Sequence, residues 1–144
     1  MRVLLADDQS EVRSALRLLL EQDPDVEVVG EAAKTDDLLA QVMASCPGAC
    51  GECANSVGYV VLLDWELAHP DAAELPRSLR SLCPYLSVVA LSGRPEARQA
   101  ALAAGADAFV SKVDAPERLL AVIDNCGRAG APEEEEGSVQ GDAR

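Results

Sequence analysis

Five short apolar runs, each followed by a segment with helical periodicity, recur along this chain. The runs fall at about residues 2–6, 26–31, 58–64, 86–91 and 106–111, and most of them are continuous stretches of Val, Leu and Ala. Continuous runs of this length, in contrast to alternating ones, are typical of parallel strands that are buried on both faces. The pattern therefore predicts a sheet of five strands.

The segments between the runs place apolar residues at helical spacing. From about Ser10 to Gln22 these residues recur at i, i+3, i+4, i+7 and i+8, which forms one apolar stripe. Helices are also predicted at about 35–45, 71–82, 95–104 and 114–127, with Thr, Pro or Gly near several of their ends. The alternation predicts an α/β fold, a doubly wound parallel (βα)5 sheet in the flavodoxin-like order 2-1-3-4-5.

Two segments interrupt the alternation. Residues 45–57 form a connection that is longer than the few residues usual at such a place, and the chain after residue 127 contains Gly, Pro and a run of Glu. We therefore expect one domain over residues 1–127, with an inserted loop at 45–57. A disordered acidic tail is expected over residues 128–144.

Composition and charge narrow the classes of partner. The chain has 144 residues and a formal net charge of −13, and a surface this acidic repels nucleic acid and anionic membranes. Neither is an expected partner. No apolar stretch approaches the roughly 20 residues of a membrane span, and we expect no cleavable leader. The five cysteines are an odd number in a chain large enough to fold without disulfides, which favours a reduced, cytoplasmic setting.

Polar residues stand where four of the predicted strands end. They are Asp7 and Asp8 after the first strand, Asp64 at the end of the third, Ser92 after the fourth and Lys112 after the fifth. Ligands of such sheets bind outside the carboxyl ends of the strands, and in the predicted order the first and third strands are neighbours. We expect the five side chains to converge at this edge.

These residue types suit phosphoryl transfer assisted by a cation. Clustered carboxylates repel one another, and oxygen-only ligands beside an open phosphate site suit Mg²⁺ or Mn²⁺. Asp64, at the end of the central strand, could attack a phosphoryl group and form an aspartyl phosphate. Lys112 and Ser92 would then supply a positive charge and a hydroxyl donor to the transferring group.

The site residues occur in order within four short segments: Asp7 and Asp8 in ADD, Asp64 in VVLLDWEL, Ser92 in VVALSG and Lys112 in AFVSK. With these segments the chain resembles the two-component response-regulator receiver domain over about residues 1–127. The segments RVLLADD, VEVVGEA and SKVDAPERLLAVI are most similar to receivers that precede a LuxR- or NarL-class helix-turn-helix. Nothing after residue 127 has the pattern of such a domain, so we expect a stand-alone receiver whose output is protein binding. The resemblance implies a phosphorelay function and a sensor histidine kinase or phosphotransfer protein as donor, docking around the first helix.

The resemblance also implies roles for the acidic residues. Asp64 would be the phosphoacceptor. Asp8 and Asp64 would ligate Mg²⁺ together with the backbone carbonyl of Glu66, and Asp7 would act mainly through water. A receiver of this kind catalyses only its own phosphorylation and slow hydrolysis, so the chain is not expected to be an enzyme with a separate substrate.

The remaining implied roles concern switching. Ser92 would hold the phosphoryl oxygens and Lys112 would pair with the phosphoryl group. Phe109, three residues before Lys112, falls at the aromatic switch position of the family. Movement of Ser92 and Phe109 would change the face formed by the fourth helix, fifth strand and fifth helix, which would bind a downstream protein or form a homodimer.

Two charged residues lie next to the expected reaction centre. Glu66 is two residues after Asp64, and Arg94 is two residues after Ser92. They could pair over the phosphoryl group and slow its hydrolysis, or they could be independent solvated charges. Both alternatives are open at this point.

Two other functions are compatible with the sequence. Residues 68–72 depart from the family pattern, which usually has Pro and Asp-Gly here, so one alternative is a receiver-fold adaptor that works without phosphorylation. Cys46, Cys50 and Cys53 have C-x3-C-x2-C spacing, which could bind metal, form a redox-active disulfide, or have no function. Besides the adaptor, the other alternative is therefore a metal or thiol sensor that acts through this cysteine loop.

Overall fold

Strands and helices alternate throughout the parts of the chain that the structure, a computed structural model, describes: residues 1–45, 58–67 and 74–129. The elements in order are β1 Arg2–Ala6, α1 Ser10–Leu20, β2 Glu27–Ala32, α2 Thr35–Ser45, β3 Tyr59–Asp64, α3 Leu75–Leu82, β4 Leu86–Ser92, α4 Ala97–Ala103, β5 Ala108–Ser111 and α5 Pro116–Ala129. The predicted cysteine loop with Cys46, Cys50 and Cys53 and the segment 68–72 lie outside the described residues. The predicted tail, 128–144, also does so from residue 130 onward, whereas residues 128 and 129 are the last two of α5 and are not disordered as predicted.

The five strands form one parallel sheet in the order β2-β1-β3-β4-β5. β1 and β3 pair without a shift, from Arg2 opposite Tyr59 to Ala6 opposite Leu63. The β1–β2 pairing shifts once, between Val3 and Leu4. The predicted (βα)5 fold and strand order are confirmed, and β1 and β3 end side by side at the carboxyl edge of the sheet.

The sheet is covered by helices on both faces, which explains the continuous apolar runs. On one face Leu4, Val61 and Val88 pack in a cluster that includes residues of α2, α3 and α4. On the other face Val3 and Leu62 pack in a cluster that includes residues of α1 and α5. All six residues of β3 are buried. Burial of one large aliphatic side chain is worth about 1.5–3 kcal/mol, so the central strand is a rigid support for the residues at its end.

Backbone and side-chain hydrogen bonds explain why β5 and α5 begin later than the apolar pattern predicts. β5 begins at Ala108 because Ala106 N bonds back to Ala101 O, while the Asp107 carboxylate accepts from Val88 N at 2.7 Å. The carboxylate of Asp114 accepts from the amide of Ser111, which closes the turn after β5. The helix then begins at Pro116.

Gly105 follows α4 with a φ of 111°, a conformation that favours glycine, and so ends that helix as predicted.

Among the described helices, none has both the length and the apolar character needed to cross a membrane.

Candidate functional site

Three carboxylates meet where β1 and β3 end. One oxygen from each of Asp7, Asp8 and Asp64 lies within 4.8 Å of the other two. Asp7 and Asp64 are almost fully buried, at 1% and 3% exposure, whereas Asp8 is exposed. Asp8 is thus the member of the cluster that is in contact with solvent. The predicted convergence of these three residues is therefore present in the fold.

Asp7 is held by several contacts to neighbouring elements. Its backbone N–H donates to Ala32 O on β2 at 3.0 Å, and its Oδ1 accepts from Gln9 N at 2.8 Å. Its backbone carbonyl accepts from Arg13 Nη1 at 2.5 Å. Arg13 in turn donates to Glu31 Oε1 at 3.0 Å. The acidic residue is thus fixed by β2 and by the first turns of α1.

Lys112 reaches both buried carboxylates from the end of β5. Its Nζ donates to Asp7 Oδ2 at 3.1 Å and lies 3.4 Å from Asp64 Oδ1. Its backbone N–H donates to Ser92 O at 2.9 Å, which ties β5 to β4 at this point. Burial disfavours its ammonium, but the hydrogen bond to Asp7 and the charge of Asp64 outweigh burial and raise the pKa of Lys112.

The positive charge near Asp64 compensates only part of the cost of its burial. Burial, followed by the negative charge of Asp7, raises its pKa to about 6, although Lys112 and the amide of Glu66 act in the opposite direction. One ammonium therefore does not neutralise the cluster. The shortage of positive charge and the set of three carboxylate oxygens both fit a divalent oxygen-seeking cation such as Mg²⁺.

Glu66 follows Asp64 in a turn closed by Leu67 N donating to Asp64 O at 3.0 Å. The Glu66 amide donates to Asp64 Oδ1 at 3.2 Å. The backbone of Glu66 is therefore directly beside the carboxylates, and the assignment of its carbonyl as a metal ligand stays a prediction.

The side chains of Ser92, Glu66 and Arg94 form a connected group at the rim of the site. The Ser92 hydroxyl donates to Glu66 Oε2 at 2.9 Å and accepts from Arg94 N at 3.0 Å. Arg94 Nη2 lies 3.2 Å from the same Glu66 oxygen. Glu66 and Arg94 are therefore paired in the structure, and their effect on hydrolysis of the phosphoryl group stays a prediction. The Ser92–Glu66 hydrogen bond was not expected, because the spacing of polar residues carries no signal for a contact between neighbouring loops.

Phe109 is packed inward in the structure. It is 4% exposed, pairs with Ala90 across the β4–β5 ladder and belongs to the core cluster on the α2–α4 face. Trp65, the residue after Asp64, is in the same cluster at 6% exposure. The switching role of Phe109 stays a prediction.

A groove of ≈ 450 Å³ lies beside Lys112, between α1 and the start of α5. Its apolar lining includes Val12, Ala15, Leu16, Leu19, Pro116 and Leu119. A cavity of ≈ 580 Å³ lies at the other end of β4 and β5, beside Tyr85 and Cys126 and away from the carboxylates. Burial raises the pKa of Cys126 to about 12, so this thiol is unreactive at neutral pH.

Comparison with known sequences yields a consistent set of relatives. The profile of the response regulator receiver domain matches residues 3–124. The DNA-binding transcriptional activator DevR/DosR of Mycobacterium tuberculosis is 35% identical over 114 residues, which are 78% of this chain and 48% of that protein. Protein-glutamate methylesterase/protein-glutamine glutaminase 2 of Cereibacter sphaeroides is 35% identical over 136 residues, 90% of this chain and 34% of the relative. The chain thus spans half or less of the length of these relatives.

Solved structures show the same similarity. The signal receiver domain of the response regulator NarL from Mycobacterium tuberculosis is 25% identical with a TM-score of 0.71, covering 88% of this chain and 95% of that one. A LuxR-family two-component response regulator from Aurantimonas sp. SI85-9A1 is 25% identical with a TM-score of 0.73, covering 90% and 86%. These similarities extend over nearly all of the described sheet and helices.

Proposed function

This chain belongs to the family of response regulator receiver domains, as its resemblance indicated, and from that premise we propose that it is a Mg²⁺-dependent phosphorylation switch with Asp64 as the phosphoacceptor. The observation that carries the proposal is the position of Lys112 Nζ, 3.1 Å from Asp7 and 3.4 Å from Asp64 at the carboxyl edge of the sheet. A cation-requiring carboxylate cluster with one fixed ammonium is the set of groups that phosphoryl transfer to a carboxylate needs.

In the proposed reaction, a carboxylate oxygen of Asp64 forms a bond to the phosphorus of a phosphohistidine. The bond from phosphorus to the imidazole nitrogen breaks, and the imidazole retains the electron pair and takes up a proton. Lys112 would interact with the phosphoryl oxygens instead of with two carboxylates. A bound Mg²⁺ would be held by Asp8, Asp64 and the Glu66 carbonyl, with Asp7 acting mainly through water, and it would supply positive charge to the phosphoryl oxygens.

The output would be a change in a protein-binding face, with no separate substrate turned over. Ser92 lies at the end of β4 and Phe109 within β5, so the two residues connect the reaction centre to the α4–β5–α5 face. We propose a protein partner or a second copy of the chain at that face. The methylesterase activity of relatives belongs to proteins of which this chain covers about a third.

The proposal is tested by intact mass after incubation with acetyl phosphate. Addition of one phosphoryl group that requires Mg²⁺, and that is absent in Asp64→Asn, is the expected result. Absence of any modification in the wild-type protein, with Mg²⁺ binding intact, would contradict the proposal and would favour the phosphorylation-independent adaptor.

The groove beside Lys112 is proposed as the docking site for the helix that carries the donor histidine. It is apolar, it opens next to the reacting groups, and an amphipathic helix laid along α1 would fill it. We predict that Ala15→Glu slows phosphorylation by a phosphorylated histidine phosphotransfer protein at least roughly tenfold, because a charge would be buried at the contact. Phosphorylation by acetyl phosphate would be unchanged.

Ser14→Glu is the matched control for this prediction. Ser14 is an exposed residue of the same helix that does not line the groove. Equal slowing by the two variants would show that added charge alone is responsible and would remove the docking assignment. Slowing of the acetyl phosphate reaction by Ala15→Glu would place the defect in the site itself.

A further inference from the structure

The hydroxyl group of Ser92 is already in use in this structure. Ser92 is fully buried, accepts from Arg94 N at 3.0 Å, and donates to Glu66 Oε2 at 2.9 Å. A serine hydroxyl has one proton, so it donates to one acceptor at a time. While it donates to Glu66, it does not donate to a phosphoryl group on Asp64.

Glu66 is itself held in place from two sides. Its amide donates to the phosphoacceptor, Asp64 Oδ1, at 3.2 Å, and its carboxylate is 3.2 Å from Arg94 Nη2. The ion pair is exposed, with side-chain exposures of 41% for Glu66 and 61% for Arg94, so by itself it contributes little. The hydrogen bond from Ser92 is different, because it joins a buried donor to a charged acceptor.

We propose that Glu66 is a positioning residue that holds the Ser92 hydroxyl proton away from Asp64 and so opposes the phosphorylated conformation, with Arg94 keeping the Glu66 carboxylate in place. A phosphoryl group on Asp64 brings negative charge next to this carboxylate and competes with it for the same proton. Switching then requires the Ser92 hydroxyl to exchange its acceptor, from the Glu66 carboxylate to the phosphoryl group on Asp64. This inference rests on the proposed function and assigns Glu66 a role besides the one expected from its backbone carbonyl.

The inference has a measurable consequence for ligand affinity. When only part of a population has the binding-competent arrangement, the apparent affinity for a ligand is reduced by that fraction, and a substitution that removes the competing arrangement restores it. Beryllofluoride, a phosphoryl analogue, is the probe, in the presence of Mg²⁺. Its binding is followed by the fluorescence of Trp65, the single tryptophan of the chain, which is adjacent to Asp64.

Glu66→Ala is expected to lower the apparent Kd for beryllofluoride at least about fivefold. Glu66→Gln, which keeps a neutral acceptor at similar length, is expected to lie between this variant and the wild type. Glu96→Ala removes an equal charge from an exposed residue and is expected to have little effect. An unchanged Kd in Glu66→Ala would overturn the inference.

A thermodynamic cycle separates the hydrogen bond from general electrostatics. In a Ser92→Ala background the hydroxyl is gone, so Glu66→Ala is expected to have no further effect on the Kd. An equal gain in both backgrounds would mean that removal of negative charge near the site explains the result, and the inference would fail.

The amide of Arg94 provides a direct spectroscopic reading, because it donates to Ser92 Oγ. In the free Glu66→Ala protein its NMR resonance is expected to lie closer to the beryllofluoride-bound position than in the free wild type. A resonance at the free wild-type position would count against the inference. Failure of wild-type protein to bind beryllofluoride in an Asp64-dependent manner would instead overturn the proposed function, and with it this inference.

Discussion

Asp64 combines burial with incomplete charge compensation, and this has consequences for stability. Its pKa is raised from 3.8 to about 6 by burial and by Asp7, so between these two values the folded state binds more protons than the unfolded state. Stability contributed by the protonated carboxyl is therefore fully present below about pH 4 and is lost as pH rises through 6. At neutral pH the metal-free site is a local cost to folding.

We predict that Asp64→Asn stabilises the metal-free protein at pH 7.5 by about 1–3 kcal/mol, since one pKa unit corresponds to about 1.4 kcal/mol. The gain is reduced by loss of the ion pair with Lys112. Denaturant unfolding in a chelating buffer at pH 4.5 and 7.5 measures it. A difference between variant and wild type that is the same at both pH values would contradict this explanation.

The Glu66–Arg94 pair leads to a prediction about the lifetime of the phosphoryl group. The pair lies at the rim of the site, where hydrolytic water would enter, and we expect it to restrict that water. The double variant Glu66→Ala/Arg94→Ala is expected to lose the phosphoryl group roughly threefold faster, which corresponds to about 0.7 kcal/mol of barrier. The measurement is the decay of phosphorylated mass after the donor is removed, and an unchanged rate would dismiss the idea. This rate is a separate quantity from beryllofluoride affinity.

At the scale of elements, the sequence predicted burial and several bounds, including those of β1 and α2, but it did not predict where β5 and α5 begin. The run at 58–64 predicts a buried strand, and all six residues of β3 are buried. The predicted starts of β5 and α5 at residues 106 and 114 are each two residues early. At both places a carboxylate accepts from a backbone amide: Asp107 from Val88 on the neighbouring strand, and Asp114 from Ser111 within the turn. Apolar periodicity contains no information about such bonds.

Arg13 and Arg17 of α1 both donate hydrogen bonds to Glu31 of β2 and so connect these two elements. Arg13 donates to the Asp7 carbonyl and to Glu31, whereas Arg17 donates to Glu31 at 2.7 Å and, within the part of the chain that the structure describes, makes no bond to Asp7. The bond from Arg17, ahead of that from Arg13, lowers the pKa of Glu31, so Glu31 is ionised at neutral pH. Of these two arginines, Arg13 is the one that also bonds Asp7 in the acidic site.

We predict that Arg13→Ala weakens Mg²⁺ binding about three- to tenfold, because loss of a hydrogen bond of about 1 kcal/mol loosens the backbone of Asp7. Arg17→Ala is the control, since it removes a bond to the same Glu31 without touching Asp7. Titration of Trp65 fluorescence with Mg²⁺ measures both. Equal weakening in the two variants would show that α1–β2 packing in general, and not the bond to Asp7, is responsible.

At the scale of the whole molecule, the site exists only when the complete sheet has formed. Lys112 and Asp7 are 105 positions apart in sequence and are joined at 3.1 Å. Strand order and the rule that ligands bind at carboxyl ends were sufficient to predict this convergence. They could not predict that Ser92 would donate to Glu66, because that bond depends on side-chain conformations in two adjacent loops.

The claim that Asp64 accepts the phosphoryl group is tested most directly by chemical mapping of the modified residue. Borohydride reduces an acyl phosphate to an alcohol and would convert phosphorylated Asp64 to homoserine. After incubation with acetyl phosphate and Mg²⁺, peptide mass spectrometry is expected to find homoserine at position 64 and not at Asp7 or Asp8. Homoserine at another aspartate, or none in protein whose intact mass shows a phosphoryl group, would contradict the account.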